Sequence, residues 1–178
     1  MHNGTTPPDG CLIVNANFVT IDLKGFTITG NNEDSGIASG AGGLVVRNGT
    51  IRRFDFGLNT GGSGGRVEGI NANGNEIDGI RGGNDSIVTN SISSGNGGQG
   101  IVCGQCIVSN NVASFNNGDG FELAFSNIFS NTAVGNIGDG FQVSCPSNLV
   151  GNFAFGNGLN LNSTNVSAPC KRSADNLF

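Results

Sequence analysis

Large apolar residues recur behind glycine at a nearly fixed interval along this chain. The pairs are Gly36-Ile37, Gly57-Leu58, Gly79-Ile80, Gly100-Ile101, Gly120-Phe121, Gly140-Phe141 and Gly158-Leu159, at spacings of 21, 22, 21, 20, 20 and 18 residues. An earlier and longer unit opens at Gly10-Cys11-Leu12. Inside each unit a second signature places an asparagine three residues after an apolar one: Val45/Asn48, Ile87/Asn90, Ile107/Asn110, Ile128/Asn131 and Leu149/Asn152. Two places further on comes another small or apolar side chain, as at Thr50, Ile92, Val112, Ala133 and Ala154. A last asparagine closes most units, at Asn96, Asn116, Asn136 and Asn157. Each unit therefore predicts three short strands with alternating inward side chains, separated by turns rich in Asn and Gly.

A unit this short cannot bury its apolar face alone, so stacking at the strand spacing of about 4.8 Å must build the core. Asn tolerates the left-handed backbone of a tight corner, and stacked Asn side chains satisfy polar groups that would otherwise be stranded inside. Helices are excluded because Gly and Asn interrupt every window long enough to form one. The Leu-x-x-Leu-x-Leu framework of leucine-rich repeats and the tandem nonapeptides of calcium β-rolls are both missing. The expected fold is all-β: a right-handed, single-stranded parallel β-helix of about eight coils of 18–26 residues. The coils are assigned to residues 10–161, with a flexible start over 1–9 and a cap over 162–178, where Pro169 and charge break the repeat.

Composition narrows the function. Gly is abundant at 32 of 178 residues, yet hydrophobics hold at 36% and there are four prolines, which fits an ordered repeat better than a disordered chain. A net charge of −5 with scattered cations argues against a nucleic-acid partner. No apolar run reaches the roughly 18 residues of a membrane span. The opening Met1-His-Asn-Gly-Thr-Thr lacks a signal-peptide layout. A cytoplasmic protein, or a chain that begins after an export signal, would both fit; the second is adopted, giving a secreted or periplasmic protein. Cys11, Cys103, Cys106, Cys145 and Cys170 are odd in number, so at least one lacks a partner within the chain. Cys103-Gly-Gln-Cys106 stands alone, without the further ligands of a zinc site or the βαβ context of a redox motif, so disulfides or buried thiols are expected. Cys145 with Cys170 is the predicted pair, because adjacent coils bring them together.

Val19-Thr-Ile-Asp-Leu-Lys-Gly-Phe-Thr-Ile-Thr-Gly30, followed by Asn48-Gly-Thr-Ile51 and by units such as Asn131-Thr-Ala-Val-Gly-Asn136, resembles the coils of bacterial right-handed parallel β-helix repeat proteins. That group is similar to pectate-lyase-like folds and to the periplasmic β-helix accessory protein of nitrous oxide reductase. The resemblance covers nearly the whole chain, from about Asp9 to Phe178. It implies export, frequent contact with polysaccharide and no uniform activity. It also implies a further strand and cysteine ahead of this chain, which would leave Cys11 unpaired. Lys24 and Phe26 depart from the Asn and His usual in the opening motif. The motif speaks for fold rather than chemistry.

Four groups of residues are candidates for function. A lyase or epimerase acting on uronates needs a base and a cation to stabilise the enolate. Asp22 and Glu68 are expected in one column, with Arg47 on the coil between them and one place along. Their spacing of about 9.6 Å loosely permits an inverting glycosidase as well. The competing reading is a surface ladder of ion pairs. Asp78, Gln99, Asp119 and Asp139 form a second column, in which Asp119 and Asp139 are candidate calcium ligands or simply good turn formers. Glu122 and Gln142 stack on the neighbouring strand as a polar, sugar-binding face. Val46, Val88, Val108, Phe129 and Val150 are expected to form an outward apolar row, covered by a terminal segment or by a second subunit unless the register turns them inward. No cofactor is expected beyond the calcium option. The readings carried forward are an exported non-catalytic or carbohydrate-binding β-helix, a uronate lyase or epimerase, and a structural solenoid that self-associates as a homodimer or end to end.

Overall fold

The computed structural model describes residues 10–165 and 168–178; the start, with the only histidine, His2, lies outside them. Every strand pairing is parallel and no helix is present among the described residues. The chain winds as a solenoid with three faces. Face 1 is an eight-stranded sheet of Gly10–Val14, Ser35–Ser39, Phe56–Thr60, Ile80–Arg81, Ile101–Gly104, Phe121–Ala124, Phe141–Cys145 and Leu161–Asn165. Face 2 runs from Thr20–Asp22 through the first halves of Val45–Arg52 and Arg66–Asn73 to Ile87–Thr89, Ile107–Ser109, Asn127–Phe129, Asn148–Val150 and Lys171–Arg172. Face 3 takes Thr27–Thr29, the second halves of the same two long strands, then Ile92–Ser94, Val112–Ser114, Thr132–Val134 and Phe153–Phe155. Eight coils thus stack.

The Gly-apolar pairs mark entry into face 1. Ile37, Leu58, Ile80, Ile101, Phe121 and Phe141 are in register and fully buried, and Phe121 stacks on Phe141 at 4.7 Å. The preceding glycine is demanded by space. A Cβ at Gly120 would stand 2.7 Å from the side-chain amide nitrogen of Asn136 and 2.8 Å from the carbonyl oxygen of Gly140. The last pair departs from expectation. Leu161, not Leu159, continues the column opposite Phe141, while Leu159 is exposed, because the final turn is two residues longer than the Gly158-Leu159 pattern suggests.

Two asparagine ladders run through the interior. Asn75, Asn96, Asn116 and Asn136 each donate a side-chain N–H to the Oδ1 of the next, the series ending at Asn157, at 2.8–2.9 Å. The second ladder joins Asn111, Asn131, Asn152 and Asn176. Backbone N–H groups of one coil also donate to these oxygens, as Asn96 N does to Asn116 at 3.1 Å. No buried side-chain polar atom among the described residues lacks a partner, which is what a dry, glycine-rich interior requires.

The second ladder corrects the predicted register of face 2. Asn48, Asn90 and Asn110 are the left-handed corner residues, with φ of 59°, 52° and 57°, and Ser130 occupies that corner in the next coil. The ladder position is one residue later, at Ser91, Asn111, Asn131 and Asn152. A one-residue shift reverses every side chain of a strand. Val46, Val88 and Val108 therefore point inward, in file with Val67, Ile128 and Leu149, and are wholly buried. Only Phe129 and Val150 of the predicted outer row face solvent, paired with each other at 37% exposure each.

Leu161–Asn165 joins face 1, Lys171–Arg172 joins face 2, and Leu177 bridges to Phe153 on face 3. Phe178 lays an edge on Phe141 at 5.7 Å. Disulfides join Cys145 to Cys170 and Cys103 to Cys106, and Cys11 is a free, exposed thiol.

Candidate functional site

Asp22, Arg47 and Glu68 occupy one outward file on face 2, directly opposite one another on three successive coils. Arg47 is thus in the file itself rather than one place along. The strands leave little freedom to Asp22. Its Oδ1 accepts the Lys24 backbone N–H at 3.0 Å and the Asn48 side-chain amide at 3.2 Å, while Oδ2 faces Arg47 Nε at 3.1 Å and Lys24 Nζ at 3.5 Å. The Lys24 backbone bond above all, then the Asn48 bond and the two cations, outweigh desolvation and hold its carboxyl down at about 2. Glu68 pairs with Arg66 on its own strand at 3.0 Å, not with Arg47. A carboxylate ionised to such low pH, with both oxygens engaged, is a weak general base near neutrality.

The same geometry sets an acid-stability test. A carboxyl depressed from 3.8 to about 2 adds stability above its unfolded value, and that stability is lost as the pH falls through this interval. Asp22→Asn should melt below the wild-type protein at neutral pH and match it at the bottom of the interval. A gap that persists unchanged into acid would show that the ion pairs contribute nothing through titration.

The acidic column before face 1 has a structural occupation. The Asp139 backbone N–H donates to Asp119 Oδ1 at 2.6 Å, Leu159 N–H to Asp139 Oδ1 at 3.1 Å, and Gln99 N–H to Asp78 Oδ1 at 2.9 Å. Each carboxylate clamps the turn of the coil above it. Burial raises the Asp119 pKa; the Asp139 N–H opposes that rise and the Asp139 charge adds to it. No cluster of three or more His, Cys, Asp or Glu side chains suited to a metal ion occurs among the described residues.

Face 1 carries a concavity beside the predicted polar pair. Glu122 and Gln142 are directly opposite each other, as expected from their stacking, and their file continues through Val102, Arg81 and Asn59. Beside it the next outward file holds Gly104, Ala124 and Ser144, residues too small to fill the space, and Gly61 and Gly83 line the depression before them. Two adjoining depressions result, of about 320 and 190 Å³, sharing Val102, Cys103 and Gly104. The Cys103–Cys106 disulfide fixes the strand beneath their junction.

Arg81 is the functional candidate that the sequence pattern did not reveal. Asp78, with a side chain 0% exposed, holds it through Nη2 at 2.6 Å and Nε at 3.1 Å, and the guanidinium lies 5.3 Å from the Phe56 ring centre. This fork leaves three of the five guanidinium N–H groups free of Asp78, on a side chain 45% exposed at the rim of the groove. A signal did exist: between Arg66 and Lys171 the chain contains no other Lys or Arg.

No family model matches the chain, and no curated protein sequence does so either. Solved structures do. The chain is similar to a double mutant of a periplasmic alginate epimerase, at TM-score 0.64 and 20% identity over 75% of this chain and 36% of that one. It is similar to a pectate lyase, at TM-score 0.55 and 14% identity over 94% and 56% of the two chains. The A-module of a mannuronan C-5 epimerase from Azotobacter vinelandii gives 0.55 and 15%, over 94% and 58%. The chain spans about a third to three-fifths of the length of these neighbours, and what it shares with them is the pectate-lyase-like parallel β-helix fold.

Proposed function

We propose that this protein is an exported carbohydrate-binding β-helix that holds a polysaccharide in the groove of face 1 and does not turn it over. The observation that supports the reading is a glycine-floored groove edged by Asn59, Arg81, Glu122 and Gln142, with Arg81 oriented by a buried carboxylate. Amide, carboxylate and guanidinium groups spaced along a rigid sheet suit the paired hydroxyls of sugars, and a preformed site loses little freedom on binding. Export is supported by the two disulfides, which persist in oxidising compartments.

The test uses Ala124→Trp, which fills the groove from an outward position and leaves the core untouched. Retention on a panel of neutral and acidic polysaccharides in affinity electrophoresis should be lost in the variant at unchanged melting temperature. Retention equal to that of the wild type would overturn the reading. A second reading, uronate lyase or epimerase, follows from what the neighbouring structures act on: alginate, mannuronan and pectate. Unsaturated or epimerised product from the same polysaccharides would favour it, and its loss in Arg81→Ala but not in Arg47→Ala would place the chemistry on face 1.

A further inference from the structure

We infer that the glycan of face 1 is neutral, lies along the solenoid axis, and contacts the protein over about five sugars; this rests on the groove reading above. Charge is the first argument. Arg81 is the only cation among residues 67–170, and the carboxylate of Asp78 at 2.6 Å already balances it. Glu122 then leaves the groove with a surplus negative charge, with no ion pair to offset it among the described residues. Asp119 and Asp139 stand on the turns just before the same strands and add to that sign. A polyuronate would bring one more negative charge per sugar beside Glu122, Asp119 and Asp139, where like charges repel. A neutral sugar meets no such barrier, and the carboxylate becomes an acceptor for two of its hydroxyls.

Spacing is the second argument. The outward file Asn59, Arg81, Val102, Glu122 and Gln142 presents one side chain per coil in strict register. Coils repeat at about 4.8 Å, close to the advance of one pyranose in an extended chain, so each sugar meets one side chain. Polar groups at four of these positions address hydroxyls, and Val102 at the centre offers an apolar patch to a ring face.

Calorimetric titration of the whole protein with size-graded fragments of neutral glucans, galactans, xylans and mannans, and of oligogalacturonate and oligomannuronate, tests the inference. At least one neutral series should bind, with affinity that climbs to about the pentasaccharide, then levels, and is insensitive to salt. Glu122→Ala should weaken that binding by at least about tenfold, since it removes both charge-assisted hydrogen bonds. Tighter binding of an oligouronate, weakened by salt, would overturn the neutral class while leaving the groove in place, provided Ala124→Trp abolishes it. Binding of neither class would overturn the groove reading and this inference with it.

Discussion

Asn116→Ala is expected to destabilise the solenoid by about 4 kcal/mol, enough to unfold its middle coils at moderate temperature. The side chain is completely buried. Its Oδ1 accepts from the Asn96 backbone at 3.1 Å and from the Asn96 side chain at 2.9 Å. Its amide donates to the Ser93 carbonyl at 3.1 Å and to Asn136 Oδ1 at 2.9 Å. Truncation removes four hydrogen bonds and strands two buried donors, each costing about 1–3 kcal/mol. No water replaces them easily, because the glycine before the face 1 strand of the preceding coil packs against the ladder: a Cβ at Gly100 would stand 2.8 Å from the Asn116 amide nitrogen. Asn117→Ala is the control, the same residue type one place along but exposed, and should change stability by about 0.5 kcal/mol at most. Denaturant melts of the two variants decide the point, and equal midpoints would contradict a supporting ladder. Hydrogen exchange should further show the Asn116→Ala damage centred on coils adjoining Asn96 and Asn136, since repeat proteins couple mainly to nearest neighbours.

Val108→Lys and Phe129→Lys should differ sharply, although the repeat pattern of the sequence puts both residues in one outward row. Val108 is 0% exposed and sits between Val88 and Ile128 in the core, so an ammonium there costs at least about 4 kcal/mol. Phe129 lies on the outer surface opposite Ser109 and Val150, where lysine is tolerated. The expected result is loss of soluble folded protein for Val108→Lys and near-native melting for Phe129→Lys. Sedimentation of Phe129→Lys adds a second readout: a change in oligomeric state would show that the remaining exposed pair, Phe129 and Val150, is covered in solution.

The contrast between these residues explains what the sequence could convey. Positions where only one residue type fits were legible. The glycine before Ile80 or Phe121 is forced by an asparagine amide and a carbonyl oxygen, and the asparagines from Asn96 to Asn157 are forced by the backbone groups they satisfy. Both therefore recur visibly. Face 2 was ambiguous because Asn110 and Asn111 are adjacent, and one asparagine turns the corner while the other joins the ladder. Ser130 takes the corner in the following coil, so the repeat drifts by one residue in sequence without drifting in space. That single shift moved Val46, Val88 and Val108 from the surface into the core.

The sites were legible in the same uneven way. Glu122 over Gln142, and Asp22 with Glu68 in one file, followed from coil spacing alone. The partners of those carboxylates did not, since hydrogen bonds such as Asn48 to Asp22 depend on which corner residue is left-handed. Arg81 was hidden for another reason. Its orientation comes from Asp78 three residues earlier, across the turn that leads into face 1, and no repeat in neighbouring coils draws attention to it.

Mapping backbone amide shifts by NMR during titration with the tightest-binding oligosaccharide tests the central claim most directly. Perturbations confined to face 1, centred on Val102 and running from Asn59 and Arg81 to Glu122 and Gln142, are the predicted result. Perturbations centred instead on Asp22, Arg47 and Glu68 of face 2 would contradict it.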